Sequence, residues 1–153
     1  MTFRNYGEFV VPPEARGPLP PGYRGNKPFL DAHTNGNYPG YDLDIPDQKR
    51  ADVWIAELRE FVAKGQMPAL MIARLPNDHT SGALLGEPTP RAYMADNDLA
   101  LGRMIEALSH TPFWRSTVVF VLEDDAQNGP DHVDSHRSPL LVVSPWSRPG
   151  VTH

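Results

Sequence analysis

At 153 residues, with no cysteine and a formal net charge of −5, the chain is one domain by size, or part of one. Disulfides and thiolate metal sites are excluded, and the basic excess that nucleic-acid binding asks for is missing. No apolar run approaches the roughly 20 residues that span a bilayer, and Met1 to Gly17 shows no charged head followed by an apolar core, so no signal peptide is expected, which points to the cytoplasm if the chain is whole.

Residues 1–46 are dense in Pro, Gly, Asn and Tyr, as in Pro12-Pro13, Pro20-Pro21-Gly22 and Tyr38-Pro39-Gly40-Tyr41. Proline fixes φ and removes a backbone donor, so this stretch is expected to be an irregular arm. Its aromatics (Phe3, Tyr6, Phe9, Tyr23, Phe29, Tyr38 and Tyr41) argue against a disordered linker and for an arm wrapped over a neighbouring surface.

From residue 47 to 153 the pattern is α/β. Asp47 is placed to cap a helix whose apolar stripe runs Ala51, Trp54, Ile55, Leu58, Phe61, Val62, with Gly65 as its C-terminal stop. Pro68 to Leu75 has strand length and runs into Pro76-Asn77-Asp78-His79-Thr80. Thr89-Pro90 opens a second helix to about Ser109, with Met94, Leu101, Met104, Ile105 and Leu108 as the expected buried face. A strand at Thr117–Leu122 leads into LEDDAQNGPDHVDSHR, and a further strand follows at Leu140–Ser144.

Alternating helices and strands predict a sheet with helical crossovers, and such sheets bind ligands beyond the carboxyl ends of their strands. Two strands end in acid–histidine clusters, one at Asp78-His79, the other at Asp124-Asp125 followed by His132 and His136. Parallel strands would bring both clusters to one rim. Adjacent carboxylates repel unless a cation or protons neutralise them. Against this, acids at a loop start are often merely solvated, and Asp78 also suits a turn in which it satisfies backbone donors. His33 and His110 are expected to be structural or solvated. Imidazole and carboxylate without thiolate suit Zn²⁺, Mn²⁺ or iron better than Ca²⁺, and two such clusters could hold two metals. There is no glycine cradle for a nucleotide. The hydroxyls of Thr80, Ser81, Ser135 and Ser138 lie outside any GxSxG turn, so no catalytic nucleophile is assigned.

The segments YPGYDLDIPDQKRADVWIAELREF, LPNDHTSG, PTPRAYMADNDLALGRMIEALSHTPFWRS and VVFVLEDDAQNGPDHVDSHRSPLLVVSPWSRPGV resemble the bacterial phosphoesterase family of the alkaline phosphatase superfamily. The nearest group is the phospholipase C and acid phosphatase-like proteins, often fused to a β-propeller. The resemblance runs from Arg4 to the end. It implies a three-layer αβα core, of which this chain holds part, and metal-dependent hydrolysis of a phosphate ester, with phospholipid head groups among the substrates to consider. It places Asp124 and Asp125 at the family's acidic pair, His132 in its DHV motif and Asp78-His79 at its acid–His segment. His136 is a neighbouring candidate, and His153 falls where some relatives carry a late histidine. Family members are often secreted or periplasmic. They also carry an earlier segment with further metal ligands and a Ser or Thr nucleophile, so the resemblance implies a chain lacking that part, with the rest of the parent domain as a partner.

A different class of function is a non-catalytic interaction module, which keeps part of the fold, needs no metal and uses the aromatic arm as its contact surface.

Overall fold

Phe3–Tyr6, inside the stretch expected to be irregular, forms strand β1. The structure is a computed structural model and describes residues 1–13, 22–124 and 138–148. Prolines and glycines crowd other parts of the first 46 residues and leave Phe3–Tyr6 free to extend, so the average composition misleads here. β2 (Val10–Val11) pairs antiparallel with β3 (Arg24–Gly25), and a single helical turn, α1, follows at Pro28–Asp31. The fold is of mixed α/β class, in two compact units, Met1–Ala107 and Leu108–His153. This division falls elsewhere than the 46/47 boundary drawn from composition.

In the first unit β1 pairs in parallel with β4 (Leu70–Ala73), from Phe3 opposite Leu70 to Tyr6 opposite Ala73. The chain between them contains α2 (Asp47–Lys64), so strand, helical crossover and parallel strand are all present. On its other side β1 bridges to Thr34, through Asn5 N–H to the His33 carbonyl and Asn35 N–H to the Asn5 carbonyl, each 2.9 Å. Tyr6 and Tyr38 are wholly buried, and the Tyr6 ring meets Tyr38 at 5.5 Å and Trp54 at 6.5 Å, both edge-on. Part of the expected arm is therefore core. His33 packs against Phe29 and Phe3 at ring distances of 5.0 and 5.8 Å, a structural place.

Helix α2 buries Asp47, Arg50, Ala51, Trp54 and Leu58, a stripe of helical period. Ile55 and Phe61 are half-buried and Val62 is exposed. Gly65 stops the helix at φ 66, in the left-handed region, and its N–H reaches the Val62 carbonyl. Asp47 does not cap it. Pro46 holds the cap position with no side-chain bond, and the Asp47 N–H donates instead to Asp96 Oδ2 of α3 (Pro90–Ser109) at 2.6 Å. Thr89 does cap α3, its Oγ1 accepting from the Ala92 N–H. The buried face of α3 is Tyr93, Ala100, Met104 and Leu108. Met94, expected inside, is exposed, because the stripe is centred one position earlier.

In the second unit, a 3-10 turn at Pro112–Ser116 precedes β5 (Val119–Leu122), which pairs antiparallel with β6 (Leu140–Val143). The expected single sheet carrying both β4 and β5 is not formed among the described residues: β4 pairs with β1, and β5 with β6. Both strands have the apolar composition of sheet strands, but composition does not specify a partner. No helix among the described residues is long and apolar enough to cross a membrane.

Candidate functional site

Strand β4 ends at Ala73, and the chain then tightens into a 3-10 turn, Pro76–His79. The turn is held from beneath by a buried polar knot. Asp47 Oδ2 accepts from the Asn77 N–H and from Asn97 Nδ2, each at 3.0 Å. Asp96 Oδ2 accepts from Asn77 Nδ2 at 2.8 Å, and Asn97 Nδ2 also donates to the Leu75 carbonyl at 2.9 Å. Residues 75 and 77 are thereby tied to the first turn of α2 and to α3. The Oδ1 of Asn77 is buried and has no hydrogen-bond partner among the described residues.

Arg50 closes the knot. Its guanidinium, wholly buried, donates to Asp47 Oδ1 at 3.1 Å and to the carbonyls of Pro39, Gly40, Asp42 and Ile45. All five N–H donors of the fork are used. Residues 39–45 lack regular structure, so their carbonyls have no ladder, and Arg50 supplies the donors. Burial pushes the Asp47 carboxyl up from its ordinary value, against the pull of the Asn77, Asn97 and Arg50 donors.

On this base sit Asp78 and His79. His79 is exposed, and its Nδ1 lies 3.0 Å from the Thr80 carbonyl. A carbonyl only accepts, so Nδ1 carries the proton in this contact, and in the neutral ring Nε2 is the nitrogen that can take a metal. Metal-binding histidines are commonly fixed in this way. Asp78 is half-buried. Burial raises its carboxyl above the ordinary value, while backbone N–H groups and the Arg74 charge pull it down. Thr80 stands at φ 57, ψ 165, a region that strains any residue but glycine by about 1–3 kcal/mol. Its Oγ1 accepts from the Gly82 N–H, which helps hold it there.

Around the pair, the Tyr41 ring meets His79 edge-on at 5.4 Å, and the Arg74 guanidinium carbon lies 5.2 Å from the centre of the same ring. Glu8, just past β1, faces Arg74 at 3.8 Å. Glu8, Arg74, Asp78 and His79 thus all follow the carboxyl ends of the parallel pair β1–β4, where sheets of this kind gather ligands. At that end Gly7 takes φ +86, and a Cβ on it would lie 2.9 Å from the Pro39 carbonyl oxygen.

Asp78 and His79 come together in the first unit. Asp124, exposed two residues past β5, belongs to the second. Asp125, His132, His136 and His153 lie outside the described residues. Among the described residues no three His, Asp or Glu side chains group as metal ligands. The chemistry of Asp78 and His79 fits a borderline cation, as two donors of a larger set. Of the hydroxyls, Ser81 Oγ is 3.2 Å from Tyr93 Oη, which donates to Glu87 at 2.9 Å, and Ser138 Oγ donates to the Glu123 carbonyl at 2.7 Å. Ser135 lies outside the described residues.

Reading the sequence alone overlooks Arg50, Arg74, Asn77, Asp96, Asn97 and Tyr41. For Arg50 a signal exists: it falls on the stripe of Ala51, Trp54 and Leu58, with an acid three residues before it. A charge on a core stripe implies a buried partner. Comparison with family models, with curated proteins and with solved structures finds no match to the chain.

Proposed function

We propose that the chain carries metal ligands of a metal-dependent phosphoesterase, within a three-layer αβα core of the alkaline phosphatase kind. The observation that supports this most is the 3.0 Å contact of His79 Nδ1 with the Thr80 carbonyl, next to Asp78, on a turn that a buried knot holds at the carboxyl end of a parallel strand. Backbone strain such as that at Thr80 clusters at functional sites. Asp78 and His79 would hold a divalent ion, zinc or manganese, as two ligands of a larger set. Bound there, the ion would polarise a phosphoryl oxygen and lower the pKa of a bound water. The chain's own residues do the rest: Asp78 and His79 keep their donors preset, and the Thr80 carbonyl keeps the His79 proton on Nδ1.

Isothermal titration of Zn²⁺ and Mn²⁺ into the chelator-treated full chain tests this. Saturable binding is expected, weakened about tenfold or more in His79→Ala and Asp78→Asn, in line with the loss of a ligand. Hydrolysis of 4-nitrophenyl phosphate with added metal is the companion assay. Absence of metal binding, or binding that ignores both substitutions, would overturn the proposal. A second reading, the metal-free interaction module, draws on the exposed apolar side chains of the β5–β6 hairpin, such as Leu122 and Leu140 at 67% and 60%. A melting temperature unchanged by either metal favours it.

A further inference from the structure

We propose that Arg74 is an anion-binding residue of the Asp78–His79 site and takes the oxygens of a tetrahedral oxyanion, the phosphoryl group of the substrate. The identity of that anion rests on the phosphoesterase reading above; the presence of an anion site does not. Arg59 and Arg91 of this unit are exposed to solvent, whereas its more sheltered arginines have partners. Arg4 forks onto Glu57, Arg24 onto Asp31, Arg50 onto Asp47 and four carbonyls, and Arg103 onto Gln48 and Asp52. All four are sheltered from solvent in part or in full, and all four are engaged. Arg74 is sheltered to a similar degree, its side chain 35% exposed, yet its guanidinium donates no hydrogen bond among the described residues. Its nearest acid, Glu8, stands at 3.8 Å, too far for one.

The side chain is nevertheless aimed. Its backbone is pinned on both sides, the N–H to the Tyr6 carbonyl at 3.0 Å and the carbonyl to Tyr38 Oη at 2.8 Å. The guanidinium rests on the Tyr41 ring, which also touches His79, and Arg50 fixes the loop that carries Tyr41. A planar fork with free donors, held beside an imidazole at the carboxyl end of a parallel strand pair, is built for a phosphoryl group. Glu8 is a weak competitor that keeps the cation balanced when no anion is bound.

The test is titration of inorganic phosphate into the full chain by calorimetry, with and without Zn²⁺. Arg74→Gln should weaken phosphate binding about tenfold or more, as loss of charge-assisted bonds does. Arg74→Lys, keeping charge but losing the fork, should fall between. Glu8→Gln should tighten binding a few-fold by removing the competitor, and this variant carries the test if Arg74→Gln fails to fold. Phosphate affinity equal in wild type, Arg74→Gln and Glu8→Gln overturns the proposal, as does absence of phosphate binding in both metal states. Zn²⁺ binding through His79 with phosphate indifferent to Arg74 overturns this inference alone. Arg74-dependent phosphate binding without any Zn²⁺ binding supports it and overturns the metal reading instead.

Discussion

The turn after β4 and the hairpin β5–β6 each set acids beyond a short apolar strand, Asp78 after β4 and Glu123-Asp124 after β5, and they are secured by opposite means. The turn stands on buried polar groups: Asp47, Arg50 and Asn77 are at most 2% exposed, and beside them Tyr6, Trp54 and Leu58 form an apolar core. The hairpin has a full four-residue ladder but leaves Phe120, Leu122, Leu140 and Leu141 more than half exposed. A backbone ladder alone is marginal in water, since two strands without a covered face bury little. The difference separates what the first unit supplies for itself from what the hairpin leaves open. Asp78 and His79 are positioned by their own unit, whereas the hairpin leaves these four large apolar side chains exposed and Val119, Val121 and Val143 only half-buried.

Breaking the knot should have the largest effect. Asp47→Ala removes the only carboxylate on a wholly buried Arg50 among the described residues and unpairs the Asn77 N–H. Leaving a buried cation without its partner costs about 3–5 kcal/mol. Urea unfolding followed by circular dichroism should show that loss, with Asp47→Asn losing less because it still accepts from Asn77 and Asn97. A change under about 1 kcal/mol in Asp47→Ala would mean that the knot does not hold the turn.

How far the sequence discloses this arrangement depends on the range of the interaction. The helices, the Gly65 stop and the Thr89-Pro90 start are legible because period, cap and breaker act within a few residues. The strands after residue 68 are legible for the same reason. Pairing is not: nothing local in Leu70–Ala73 tells that its partner is Phe3–Tyr6 rather than Val119–Leu122, because all three are short apolar or mixed runs. Asp78 and His79 stand out as a motif, yet what places them, Asp96 and Asn97 on a helix some twenty residues further on, reads as an ordinary polar face. Arg74 has the same difficulty in reverse: its interest lies in bonds it does not make, and no local pattern encodes those.

A pH titration sharpens the comparison at the next level down. Glu57, on α2, is pushed up by burial, but hydrogen bonds from Arg4 and Asn35 outweigh this and hold its carboxyl below the ordinary 4.5. With the folded value depressed, the unfolded chain binds more protons just below 4.5. The stabilisation is therefore complete above that pH and is lost as pH falls through the folded value. Arg4 lies in β1, so this pair ties the strand to α2. Urea midpoints should fall on acidification below 4.5 in wild type, and Glu57→Gln should show a shallower fall together with a lower midpoint near neutrality. Parallel curves for the two proteins would remove Glu57 from the account.

The smallest effect is expected in the hairpin, and it is the one that decides whether the contrast holds in solution. Phe120 lies mid-strand in β5, opposite Val142, and is 59% exposed. A side chain that stays in water loses little transfer energy when shortened, and a surface change away from caps and buried pairs falls within about 0.5 kcal/mol. Phe120→Ser should then leave the urea midpoint unchanged, with only the cross-strand contact to Val142 forfeited. The same substitution reports on coverage. If the hairpin's apolar side chains were covered by a second copy of the chain, Phe120→Ser would lower the midpoint at high protein concentration and not at low. If they were covered within one chain, the loss would be of core size, about 2 kcal/mol or more, at every concentration. Only an unchanged midpoint at both concentrations keeps the hairpin as the open counterpart of the self-supported turn.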